Sequence, residues 1–97
     1  MKIFAIATRK PSLTPDKLQQ YMPAEVSATL QHYLDGTIEQ WWFREKSGPI
    51  FLMNVESVEQ AKASLAELPF VANDLMAYEV FPVGPLMPLA LLIKSKG

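Results

Sequence analysis

Residues 2–8, KIFAIAT, are apolar on both faces of an extended chain, with Ile3, Ala5 and Ala7 pointing one way and Phe4 and Ile6 the other. The pattern predicts a buried strand. After the loop PSLTP, Thr14-Pro15-Asp16 supplies a helix start: a hydroxyl cap, a proline at the first helical position and an acid in the first turn. From there Leu18, Met22, Val26, Leu30 and Tyr33 recur at helical spacing up to Asp35-Gly36, where the helix is expected to stop. Pro23 falls inside this run. An interior proline removes a hydrogen bond and costs about 3 kcal/mol, so a bend or a break into two helices is expected near Met22. Residues 37–46 alternate like a strand, KSGP turns the chain, and residues 50–55, IFLMNV, predict an antiparallel partner. Ser57 with Gln60 three residues on is a capping-box signature. Val58, Ala61, Leu65 and Leu68 form the inner stripe of the helix it opens, which Pro69 ends, and residues 75–83, LMAYEVFPV, predict a fourth strand.

The order βαββαβ suits an α+β, ferredoxin-like sandwich: a four-stranded antiparallel sheet with two helices on one face. Standing alone, such a sandwich has one dry face and one wet face, and its strands should alternate. These do not. Strict alternation puts Glu39, Trp41 and Phe43 on one face of the second strand and Ile38, Gln40, Trp42 and Arg44 on the other. The third strand sets Phe51, Met53 and Val55 against Ile50 and Leu52, and the fourth sets Ala77, Phe81 and Val83 against Met76, Tyr78 and Val80. Two helices cover only one face. A second copy of the sheet is the simplest cover for the other, so a homodimer is expected, with the adjacent tryptophans serving one core each. Residues 1–85 are expected to form this domain. Residues 86–97, with the apolar run LMPLALLI, are expected to lie as an arm on a partner subunit, because exposed they would invite aggregation.

Composition narrows the function classes. A chain of 97 residues, 49 % hydrophobic and 20 % charged, is one ordinary globular domain and not a disordered segment. The net charge of −1 is scattered, and neither a basic run nor an RNA-type aromatic motif occurs, so nucleic acid is not an expected partner. Without cysteine there is no thiol nucleophile or thiolate metal site, and one histidine cannot build an imidazole-rich centre. No metal or cofactor is expected. The N-terminal apolar run is broken by Thr8, Arg9 and Lys10 too soon for a signal peptide, and the C-terminal run falls short of the roughly 20 residues that span a bilayer. A soluble, cytoplasmic protein with no membrane partner is the expectation.

Several features in fixed order resemble a known family. They are a helix segment ending in DGT, a tryptophan strand with Trp42 in place, ESVEQ…L..LP across Ser57, Val58, Glu59, Leu65, Leu68 and Pro69, and a final YEV. Together they cover most of residues 23–81 and resemble muconolactone isomerase, within the dimeric α+β barrels, whose ferredoxin-like subunits join sheets around a shared cavity. The resemblance implies a double-bond shift in a small unsaturated lactone by proton transfer, without metal or organic cofactor. Aligned back from Asp35-Gly36, the glutamate that carries the proton falls on Glu25. The sequence departs from the isomerase pattern at Val26 and Ser27, in a longer loop before the last strand, and in an apolar tail.

Glu25 stands over Leu18 at the border of the apolar stripe, where desolvation raises a carboxyl pKa and suits it to general acid–base work. The alternative is a solvated residue near Pro23, where an acid favours the start of a second helix segment. His32, two turns on along the same border, can transfer protons near neutrality or simply hydrogen-bond at a helix edge. Arg44 is placed to grip a substrate carboxylate through paired N–H donors, or to pair with Glu79 or a partner acid. Trp41 and Trp42 either line a ligand cavity or pack in cores and interfaces. Tyr21, one turn before Glu25, either donates to a developing enolate oxygen or packs. The leading expectation is a cofactor-independent isomerase acting on a small carboxylate-bearing, lactone-like molecule, with Glu25 and His32 catalytic and Tyr21, Trp42 and Arg44 binding. A non-catalytic ligand-binding or assembly module and a cofactor-free monooxygenase acting on an electron-rich polycyclic substrate are the alternatives.

Overall fold

A computed structural model of the protein describes residues 1–84; the arm expected over residues 86–97 lies outside the described residues. The chain runs β1 (Lys2–Arg9), α1 (Pro15–Leu34), β2 (Ile38–Arg44), β3 (Gly48–Asn54), α2 (Val58–Ala66), a short α3 (Pro69–Ala72) and β4 (Met76–Val83). The strands form one antiparallel sheet in the order β2-β3-β1-β4, with the helices on one face. This is the α+β ferredoxin-like arrangement expected from the sequence.

Both helix starts and the stop of α1 form where the sequence puts them. The Thr14 hydroxyl accepts from Lys17 N–H, and Pro15 opens α1. At the other end Asp35 caps the helix and Gly36 takes φ +87°, the left-handed conformation that only glycine adopts without strain. The Ser57 hydroxyl accepts from Gln60 N–H at 3.0 Å, while the Gln60 side chain reaches back to Glu56 N–H, one residue before the cap. The stop expected at Pro69 comes earlier: α2 ends at Ala66, Leu68 lies beyond it, and Pro69 opens α3.

Two further expectations are corrected. The break near Met22 does not occur: α1 is one helix of 20 residues with Pro23 inside it. Gln19 and Pro23 are both exposed, so the carbonyl that Pro23 leaves without a donor faces water, which lowers the cost of the missing bond. Strict alternation along β2 also fails. Ile38 pairs with Met53 but Gln40 pairs with Leu52, so Glu39 is an extra residue, a β-bulge. Ile38 therefore shares the helix-covered face with Trp41 and Phe43, and the bulge sends the Glu39 carboxylate to Lys2 at 2.5 Å.

The core is the helix-covered face. Ile3, Ala5, Ile38, Phe51, Met53, Val55, Ala61, Leu65 and Leu68 form its main cluster; Ala7, Phe70, Leu75 and Met76 form a second. On the opposite face no element among the described residues covers Phe4, Ile6, Trp42, Ile50, Leu52 and Phe81, which the strand register sets side by side. Trp42 remains 46 % exposed there, against Phe4 at 6.0 Å between ring centres.

Candidate active site

Helix α1 is anchored near its start, at Ala28 on the main cluster and near its end, and it also borders an open space. Leu18 and Tyr21 pack on the smaller core cluster, and Tyr33 stacks on Trp41 of β2, centroids 4.4 Å apart and rings 6° from parallel. Between these anchors the helix stands over a cavity of about 450 Å³. The helix contributes Leu18, Met22, Glu25, Val26, Thr29 and Leu30; β2 contributes Trp41, Trp42 and Phe43, and Arg9, Pro49, Phe51, Phe70 and Met76 close the rest. This lining is almost wholly apolar, as binding cavities are, with few polar groups set into it.

Glu25 is the one buried residue of α1, only 6 % exposed. Its Oε1 accepts the Phe70 N–H at 2.9 Å, from 45 positions along the chain. That donor lies in the first turn of α3, whose cap residue Leu68 offers no side-chain acceptor, so Glu25 fills the place of a missing cap. Burial pushes the Glu25 carboxyl above its ordinary 4.5, and the Phe70 N–H offsets only part of that rise. Beneath it, burial and the Glu25 charge push the Tyr78 phenol well above its usual value, so Tyr78 is a neutral hydroxyl at any ordinary pH. That hydroxyl is buried without a hydrogen-bond partner among the described residues. The Tyr78 ring stacks on Phe51 at 5.5 Å.

The structure brings Glu25 and Trp41 to one cavity; Trp42 borders it from β2, but its ring lies on the uncovered face against Phe4, and the other sequence candidates lie elsewhere. His32 lies between the Asp35 carboxylate at 3.9 Å and the Glu67 carboxylate at 3.8 Å, linking α1 to the end of α2. Arg44 pairs with neither Glu79 nor the cavity: its Nη2 donates to the Ala7 carbonyl and its Nε to the Gly48 carbonyl at 3.3 Å. Extending the β1–β3 register sets Pro49 opposite Ala7, and a proline has no N–H to offer, which leaves the Ala7 carbonyl for Arg44. Tyr21 packs in the smaller core cluster and is not part of the lining.

The residue that sequence reasoning missed is Arg9. It lines the cavity, and its Nε is buried without a partner. A signal was present. Arg9 falls in step with Ile3, Ala5 and Ala7, so its side chain had to follow theirs to the helix-covered face if the strand ran one residue further. Among the described residues no cluster of His, Cys, Asp or Glu is placed to hold a metal, and no helix is long and apolar enough to cross a membrane.

No family model matches the sequence, and no curated protein matches it by sequence. Solved structures do. A muconolactone isomerase superposes with TM-score 0.71 at 23 % identity, covering 89 % of this chain and 93 % of that one. The 5-chloro-2-hydroxyhydroquinone dehydrochlorinase of Burkholderia phenoliruptrix AC1100, solved in complex with 2,5-dihydroxybenzoquinone, superposes with the same TM-score at 15 % identity, covering 87 % of this chain and 94 % of that one. The chain has the fold of muconolactone isomerase.

Proposed function

We propose that the protein is a cofactor-independent isomerase that shifts a double bond by proton transfer in a small, carboxylate-bearing, lactone-like molecule, with Glu25 as the proton carrier. Glu25 carries this reading: a buried carboxyl with a raised pKa, set into an otherwise apolar cavity. The one protein hydrogen bond to its carboxyl group among the described residues goes to Oε1, which leaves Oε2 to take a proton from a ring carbon and return it further along the conjugated system. The neutral acid formed in between is the state that burial favours, so the cavity lowers the cost of the first transfer. The names of the two fold neighbours, a lactone isomerase and a hydroquinone dehydrochlorinase, are in keeping with small unsaturated rings as substrates. An ionisable group in the lining also weighs against a purely passive binding module. In this reading His32 and Tyr21 support the helix that presents Glu25.

The test is a screen of small unsaturated lactones bearing a carboxylate, following double-bond migration and the entry of solvent deuterium into product. Turnover that survives unchanged in Glu25→Gln removes the proposed base.

We also propose that the uncovered apolar face of the sheet is buried against a second copy. Two such faces meeting should bury well over about 1,000 Å², the range of an obligate pair. Light scattering at micromolar concentration is expected to give twice the chain mass or a multiple, and Trp42→Glu is expected to lower it. A stable monomer would overturn this assembly.

A further inference from the structure

We infer that Arg9 is the anion anchor of the cavity, gripping the carboxylate of the bound molecule and leaving Glu25 free for the proton. The inference rests on the proposed use of the cavity as a substrate site and adds the residue that orients what enters it.

Three observations converge on Arg9. Its guanidinium is permanently charged and lines a cavity whose other walls are almost wholly apolar. A buried donor is costly unless an acceptor meets it, and the Nε of the half-buried Arg9 is buried with none among the described residues. The ion pairs that lysine and arginine make among the described residues are Lys2–Glu39 and Lys10–Asp74, so no acid among them pairs with Arg9. Glu25, the one acid in the lining, does not do so either. No Arg9–Glu25 ion pair occurs among the described residues, and the Glu25 carboxyl takes its hydrogen bond from the Phe70 N–H instead. The second arginine at this end of the sheet is already committed, since Arg44 donates to the Ala7 and Gly48 carbonyls. Arg9 is thus a fork of donors awaiting a planar acceptor, and a carboxylate matches that fork in shape and charge.

The chemistry predicts selectivity for organic anions over uncharged molecules of the same shape. Phenylacetate and phenylacetamide are matched probes, and binding is read by calorimetry and by the fluorescence of the tryptophans, with Trp41 as the ring on the cavity side. The parent protein is expected to bind phenylacetate about 10- to 100-fold more tightly than the amide, the range of a charge-assisted contact. Arg9→Gln is expected to abolish that preference while leaving amide binding in place, which also shows that the cavity is intact. Arg9→Lys, which keeps the charge and loses the fork, should retain part of it. Arg44→Gln should retain the preference. No anion preference in the parent, or its survival in Arg9→Gln, overturns the anchor. The two proposals fail separately. An absent preference with turnover still dependent on Glu25 removes the anchor alone, and an Arg9-dependent preference with turnover independent of Glu25 removes only the base.

Discussion

The two long helices cover the same sheet in opposite ways. Helix α2 has nine residues and buries Ala61 and Leu65 completely or nearly so, with Leu68 just beyond it at 0 % exposed. Helix α1 has 20 residues, and the one it buries is an acid, while Met22, Val26, Leu30, Tyr33 and Leu34 stay at least 38 % exposed. Apolar periodicity alone does not separate them, since both carry a stripe. The difference is what lies beneath: the α2 side closes on a cluster that includes small residues such as Ala5, whereas Trp41 and Phe43 line a cavity beside α1, Phe43 still 70 % exposed. One half of the domain is packed closed, and the other leaves a cavity beside a carboxyl group.

That contrast can be broken in four ways, beginning with the largest effect. Glu25→Gln keeps an oxygen for the Phe70 N–H and loses the titrating group, so turnover should fall by about 10²–10⁴-fold while the protein stays folded, as circular dichroism would check. Truncations separate the halves next. Leu68→Ala should cost about 2–5 kcal/mol in denaturant unfolding, and Leu30→Ala, at a site 44 % exposed, about 0.5 kcal/mol or less. Equal losses would mean that α1 is packed as tightly as α2. Gly48→Ala examines the cavity floor. Gly48 has φ +103°, and an added Cβ would stand 3.2 Å from the Ala7 Cβ and 3.3 Å from the Met76 Cε. Backbone strain and overpacking together should cost about 1–3 kcal/mol, seen as a lower melting temperature.

The smallest effect is a slope. The folded protein holds the Glu25 proton more tightly than the unfolded chain does, so the stability this group contributes is fully present below the ordinary carboxyl value of 4.5. It is lost as pH rises through the raised folded value. Stability of the parent relative to Glu25→Gln should therefore decline with rising pH across that window, measured as the difference between two unfolding curves. A difference that grows in the parent's favour would mean that the charged form is the one stabilised in the fold.

Much of this architecture was legible in the sequence. The caps at Thr14 and Ser57, the stop at Asp35-Gly36 and the two-sided strands are local signals, and local hydrogen bonding decides them. Glu25 could be singled out from its place on the helix border and from the resemblance. Its bond to Phe70 could not, because 45 residues separate the partners and Phe70 N–H is free only because α3 begins at Pro69. Arg44 looked like a free guanidinium until the strand register set a proline opposite Ala7. Arg9 was hidden by its composition. A cation after an apolar run reads as the end of a strand, and only the paired register with Met76 shows that the strand continues.

The bulge at Glu39 gives β2 a spare residue, and the spare absorbs a deletion. Removing Glu39 with the β3 register held would leave Ile38 opposite Met53 and Trp41 opposite Phe51, so Trp41 and Phe43 would stay under the helices and Trp42 on the uncovered face. The Tyr33–Trp41 stack that tethers α1 would be kept, and the Lys2–Glu39 ion pair would be lost. A second inserted residue has the opposite effect, because it would turn every residue beyond it to the other face and exchange the ring offered to a ligand for the ring offered to a partner. In this strand a lost residue is tolerated and a gained one selects between binding surfaces.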